Sequence, residues 1–202
     1  MGLMAMGRVD HFVSSSTRGG ISRGPREQTA FQHAPAADKR RQALAVLRGA
    51  MAQGCRRAFV YCNSLSAAVD FPGLAEETGM RIVTPLDVYR RLALRYRALG
   101  VIAANAQGLS GIEKVLLEAN PALDLLGACA LPVVLAVEAG MPPEELVERY
   151  RLAALAAWFA DGGMEALVLG CTHFPYFKEA LAARTRLPLV DPAEEMLRLL
   201  TQ

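Results

Sequence analysis

Two cysteines of this chain stand where a thiol can do proton chemistry. Cys171 follows the apolar run Leu167-Val168-Leu169-Gly170 and is followed by Thr172, His173, Phe174 and Pro175. Cys62 follows Ala58-Phe59-Val60-Tyr61 and is followed by Asn63 and Ser64. Each apolar run reads as a strand that ends in a thiol and then hydrogen-bonding side chains. The carboxyl ends of strands are where open α/β sheets hold ligands. A thiol has an ordinary pKa of about 8.5, lowered beside a helix N-terminus or a cation, and both cysteines are expected at helix starts. Cys171 also has His173 two residues away to take or tune its proton. Asn63, Ser64 and Thr172 are donors suited to a carboxylate ligand. Taken singly, each cysteine reads as a buried structural thiol; the matching contexts favour a functional pair. If the two halves face each other, one thiolate removes a proton while the opposite thiol returns one. That chemistry inverts a stereocentre and needs no metal and no organic cofactor.

The elements that must position these residues alternate along the chain. A short strand is expected at 8–14, a small polar loop at 14–20 with Gly19 and Gly20, and another short strand at 29–32. Asp38 is expected to N-cap a helix with Ala43, Leu44, Leu47 and Met51 on one face and Gly54 as its stop. A strand at 57–61 delivers Cys62, and a short helix at 64–69 ends near Pro72-Gly73. After a strand at 81–84, Pro85 opens a helix to Leu99 that Gly100 terminates. A strand at 101–104 leads to the capping box Ser110-Gly111-Ile112-Glu113. The run 131–137 reads as a fully buried strand ending in Glu138-Ala139-Gly140. Pro142-Pro143-Glu144-Glu145 starts a well-buried helix to about Ala160. The strand 165–170, a helix 175–183, a strand 187–190 and a helix 192–200 complete the chain. Short apolar strands alternating with helices predict parallel sheets wrapped by helices. The shared strand–Cys–polar–helix pattern predicts two structurally similar halves.

Composition narrows the partners. The chain has 202 residues, 52% hydrophobic and 21% charged, with a formal charge of +2. These values are globular, and neither the charge nor the 6% aromatic content supports a nucleic-acid partner. Four cysteines without a CxxC pair and histidines at 11, 33 and 173 give no zinc spacing and no disulfide framework. No apolar run reaches the ~20 residues of a membrane span, and residues 1–10 do not read as a signal peptide. The expectation is a soluble, cytoplasmic protein in a reducing compartment, with no membrane partner.

These residues resemble the aspartate/glutamate racemase superfamily, glutamate racemase in particular. Gly170-Cys171-Thr172-His173-Phe174-Pro175 is similar to that family's Gly-Cys-Thr-His-Tyr-Pro signature. Cys62-Asn63-Ser64 with Ser66-Ala67, Val137-Glu138-Ala139-Gly140 and Val190-Asp191-Pro192-Ala193-Glu194 resemble three further segments. The resemblance implies two pseudo-symmetric parallel-sheet α/β domains, 1–84 plus 187–202 and 85–186, with a ligand cleft between them. It implies Cys62 and Cys171 as the acid/base thiols, His173 and Glu138 as catalytic support, and Ser15, Ser16, Asn63, Ser64 and Thr172 as substrate-binding residues. For Glu138 a plain helix-start acid is the alternative. A small amino or dicarboxylic acid is the implied substrate, no cofactor is implied, and a homodimer is the assembly put forward. The chain departs from the family pattern at three places. Ser15 stands where the first loop carries an aspartate, Pro35-Ala36-Ala37 stands for the Pro-Tyr-Gly loop, and Ala104 and Gln107 replace two threonines. Alternative readings are a hydantoin racemase, maleate isomerase or malonate decarboxylase type of reaction, and a non-catalytic small-carboxylate binding protein.

Overall fold

The computed structural model describes the backbone of residues 2–6 and 12–16 and the whole of residues 34–202. It divides into two compact units, Met1–Val88 with Ala193–Gln202, and Tyr89–Pro192. Each has a four-stranded sheet.

In the first unit, strands β1 (Gly2–Met6) and β2 (Phe12–Ser16) pair antiparallel. The five residues that separate them are too few for a parallel crossover. Helix α1 (Ala36–Ala52), β3 (Arg57–Val60), α2 (Asn63–Ala68), α3 (Phe71–Thr78) and β4 (Arg81–Val83) follow. The sheet order is β2-β1-β3-β4, with β1 antiparallel and β4 parallel to β3. This sheet is thus mixed, parallel between β3 and β4 and antiparallel where β1 and β2 join it. Ser14 to Ser16 belong to β2 and not to a loop; residues 17–20 and the expected strand at 29–32 lie outside the described residues. Pro35, not Asp38, N-caps α1, because Asp38 is already hydrogen-bonded through its N–H to the Pro35 carbonyl at 3.0 Å. Pro72-Gly73 opens α3 instead of ending α2, since the Asp70 carboxylate accepts from the Gly73 N–H at 3.1 Å. Ala43, Leu47, Val60, Phe71 and Leu74 form this unit's core.

Helix α4 (Pro85–Arg95) carries the chain into the second unit. There β5 (Ala98–Ala103), α5 (Ala106–Ala119), β6 (Asp124–Cys129), α6 (Leu131–Glu138), α7 (Pro143–Arg149), α8 (Leu152–Asp161) and β7 (Ala166–Gly170) succeed one another. A 3₁₀ turn (Phe174–Phe177), α9 (Lys178–Ala182) and β8 (Leu189–Val190) complete it, and α10 (Ala193–Thr201) returns to pack on β3 and β4. All neighbours in the order β6-β5-β7-β8 are parallel. Because β8 pairs with β7, residues 187–192 belong to the second unit, not to the first as expected. In each order the strand that leads to a key cysteine, β3 or β7, is third.

Three further expectations are corrected. Gly100 is no helix stop; it lies within β5, where an added Cβ would come 2.7 Å from the Phe159 ring. The run 131–137 is helical, opened by Pro132, and the strand is the preceding Asp124–Cys129. The helix from Pro143 breaks at Arg151, whose φ of 51° is left-handed, so α7 and α8 are separate. All residues of β5 and β7 are buried. At about 1.5–3 kcal/mol for each large aliphatic side chain taken from water, these two strands anchor the second core.

Candidate active site

Cys171 is the first residue beyond β7, and Gly170 just before it is squeezed from both sides. A Cβ there would stand 2.9 Å from the Ile102 carbonyl oxygen and 2.7 Å from Ile112 Cδ1. The glycine therefore lets β5 and α5 close up behind the thiol. Cys171 is buried, and its Sγ lies 3.5 Å from His173 Nδ1. On the far side of the ring, His173 Nε2 lies 3.3 Å from Glu138 Oε1. A carboxylate only accepts, so Nε2 carries the proton and Nδ1 is left to accept from the Cys171 S–H. Burial pushes the His173 pKa below its ordinary 6.5, and the nearby Glu138 carboxylate partly pulls it back up. A neutral, tautomer-fixed imidazole against a thiol can move a proton between Sγ and Nδ1.

The expectation that both thiols begin helices is met by Cys62 alone. Cys62 N-caps α2, and its carbonyl accepts from the Ser66 N–H at 2.9 Å and the Ser66 hydroxyl at 2.7 Å. Cys171 instead precedes a four-residue 3₁₀ turn, so the imidazole and not a helix end acts on it. Cys62 Sγ lies 3.6 Å from Ser64 Oγ, and Asn63 is buried at the first position of α2. The Thr172 Oγ1 is buried with no hydrogen-bond partner among the described residues. Such an orphan hydroxyl costs about 1–3 kcal/mol, which a ligand's polar group would relieve. Ser15 and Ser16 pair with Leu3 and Gly2 across the β1–β2 hairpin. Glu138 ends α6 and faces His173, so the helix-start alternative is set aside.

Two neighbours of the site escaped the sequence reading. Cys129 ends β6 opposite Ala103, which is itself opposite Gly170, so this exposed thiol shares the sheet edge with Cys171. Although the residue is exposed, partial desolvation of its sulfur raises its pKa. Asn105 caps α5, its Oδ1 accepting from the Gly108 N–H at 2.9 Å; the asparagine–glycine spacing was the available signal. Among the described residues no three His, Cys, Asp or Glu side chains group to hold a metal ion.

A parallel sheet whose inner strand ends in a thiol linked to an imidazole and a carboxylate defines an α/β protein equipped for acid–base chemistry at a thiol. The family model for Asp/Glu/Hydantoin racemase matches residues 20–200, and the chain belongs to that family. It is 34% identical over 166 residues to a glutamate racemase of Thermus thermophilus, covering 79% of this chain and 60% of that relative. The chain thus spans about three-fifths of the length of such relatives. In structure it is similar to the glutamate racemase of Francisella tularensis in complex with D-glutamate, with a TM-score of 0.67 at 21% identity, over 84% of this chain and 65% of that one. It is also similar to the Thermus thermophilus glutamate racemase in complex with β-chloro-D-alanine, with a TM-score of 0.58 at 27% identity and the same coverage, 84% and 65%. The mixed α/β architecture with parallel strands is that of these structures.

Proposed function

We propose that this chain is a cofactor-independent amino-acid racemase of the glutamate racemase type. The observation that carries it is the Cys171–His173–Glu138 chain at the end of β7, with spacings of 3.5 and 3.3 Å. His173 Nδ1 accepts the Cys171 proton and leaves a thiolate, which takes the α-proton of a bound amino acid. The resulting carbanion is protonated on its opposite face by the Cys62 thiol, which yields the other enantiomer and leaves Cys62 as the thiolate. The reverse turnover runs the same steps backwards; before a second turnover in the same direction His173 gives its proton to solvent and the Cys62 thiolate takes one back, so atoms and charge balance over each cycle. Asn63, Ser64 and Thr172, with Ser15 and Ser16, are assigned to the substrate's carboxylate and amino groups. Domains carrying one thiol each, a cleft between them, a homodimer and a cytoplasmic location complete the proposal. No helix of the described residues is long and apolar enough to cross a membrane.

A second reading is favoured by one observation. By the resemblance, Ser15 stands where the family's first loop carries an aspartate, which suits a non-catalytic binder of small carboxylates. One experiment separates the two. The protein is incubated in deuterium oxide with single enantiomers of glutamate, aspartate and alanine, and α-deuterium and optical rotation are followed. Deuterium entering with inversion supports racemisation. Binding by calorimetry without exchange for any of them overturns it in favour of the binder.

A further inference from the structure

We infer that Gly140 is a positioning residue for the thiol–imidazole–carboxylate chain, acting through Glu138. The use made of that chain rests on the proposed racemase chemistry; its geometry does not. Glu138 is the last residue of α6, and Ala139 is the cap. Gly140 follows with φ of +75°, its N–H donating to the Val137 carbonyl at 3.0 Å while the Met141 N–H donates to the Ala136 carbonyl at 3.0 Å. These are the two paired bonds of a Schellman turn, which closes the helix end with a left-handed residue. Met141 then packs on the second unit's core, which fixes the exit of the turn.

Residues with a branched side chain strongly resist a positive φ. A Cβ added at Gly140 would nevertheless meet nothing within 4 Å. The site therefore demands glycine for backbone conformation alone, and a substitution there disturbs the turn without creating a clash. The Glu138 side chain is 44% exposed, so surrounding packing holds it less than the helix end does. When the turn relaxes, the carboxylate leaves His173 Nε2. The ring then loses both its fixed tautomer and the charge that supports its protonated form.

The test compares Gly140→Val, Gly140→Ala and Gly140→Asn in the full chain, with Glu138→Gln as reference. The His173 ring titration is followed by NMR with labelled histidine, assigned through His173→Asn, and α-deuterium exchange is measured against pH. In Gly140→Val, His173 titrates lower than in the parent and close to its value in Glu138→Gln. Exchange falls by about 10²-fold, the scale of a roughly 1 Å misplacement. Asparagine tolerates left-handed backbone, so Gly140→Asn returns both readouts towards the parent. The inference is overturned if folded Gly140→Val titrates like the parent, or if Gly140→Asn is as impaired as Gly140→Val. Should Gly140→Val not fold, the ordering of Gly140→Ala below Gly140→Asn decides the matter. A parent that exchanges no amino acid sinks the racemase proposal, while the His173 titration still decides on Gly140.

Discussion

At the scale of single residues, the two thiols are unequal. Cys171 faces an imidazole at 3.5 Å, whereas the hydroxyl of Ser64 stands 3.6 Å from Cys62. Replacing Glu138 by Gln removes the charge that raises the His173 pKa, so the titration of His173 moves further below 6.5. The acid limb of the exchange rate moves to lower pH with it, and the rate itself falls by about tenfold to a hundredfold, part of what one positioned acid–base pair contributes. A pH profile of kcat/KM for α-deuterium exchange, with and without the substitution, measures both; an acid limb that stays in place refutes the coupling. The same group links pH to stability. His173 is held neutral by burial, so its contribution is complete above 6.5 and is lost as pH falls through its lower folded value. Cys171→Ser and Cys62→Ser each abolish racemisation, by about 10³-fold or more if each thiol is an obligatory acid–base group. Full two-way activity in either variant rules out the two-thiol mechanism.

At the scale of elements, close approach explains what periodicity does not. Gly100 lies in the middle of β5 with the Phe159 ring over it. Gly100→Ala therefore overpacks the second core and costs about 1–3 kcal/mol. Gly49 in α1 has open space around it, so Gly49→Ala stabilises by about 0.5–1 kcal/mol through helix propensity. For a chain of this length about 2–4 °C in Tm corresponds to 1 kcal/mol, and a thermal melt of the two variants should shift in opposite directions. A fall in both would place Gly49 in a packed contact. The same physics marks what was legible in the sequence. The run into Cys171 could be read because a fully buried parallel strand is continuously apolar and ends at once in polar residues. Residues 131–137 are apolar on every side, and such a run fits a buried strand and a buried helix equally. Pro132 was the discriminating residue, at home in a first helical turn but excluded from an inner strand. Gly100 reads as a helix stop in sequence because the ring that requires it, that of Phe159, lies five elements further along the chain. Glu138 is picked out by motif, but its partnership with His173 arises only where the end of α6 meets the turn that follows β7.

At the scale of the whole molecule, the second unit is an uninterrupted stretch, Tyr89–Pro192, set between two parts of the first. Among the described residues, a core cluster running from Ala98 to Leu187 is made of residues of that stretch. Cys171, His173 and Glu138 lie in it as well. A fragment comprising residues 89–192 is therefore expected to fold by itself, with one cooperative thermal transition, because every strand of its sheet finds its neighbours inside the fragment. It should retain the depressed His173 titration, since burial is the largest cause of the depression and Glu138, which opposes it, stays in the fragment. It should not racemise, since Cys62 is left behind, yet exchange of a single enantiomer at the Cys171 face remains chemically open to it. Circular dichroism melting, His173 titration by NMR and deuterium exchange on each enantiomer test the three statements in turn. A fragment without a cooperative transition overturns the division into two self-sufficient units. A folded fragment whose His173 titrates near 6.5 shows instead that groups of the first unit set the electrostatics of the second thiol.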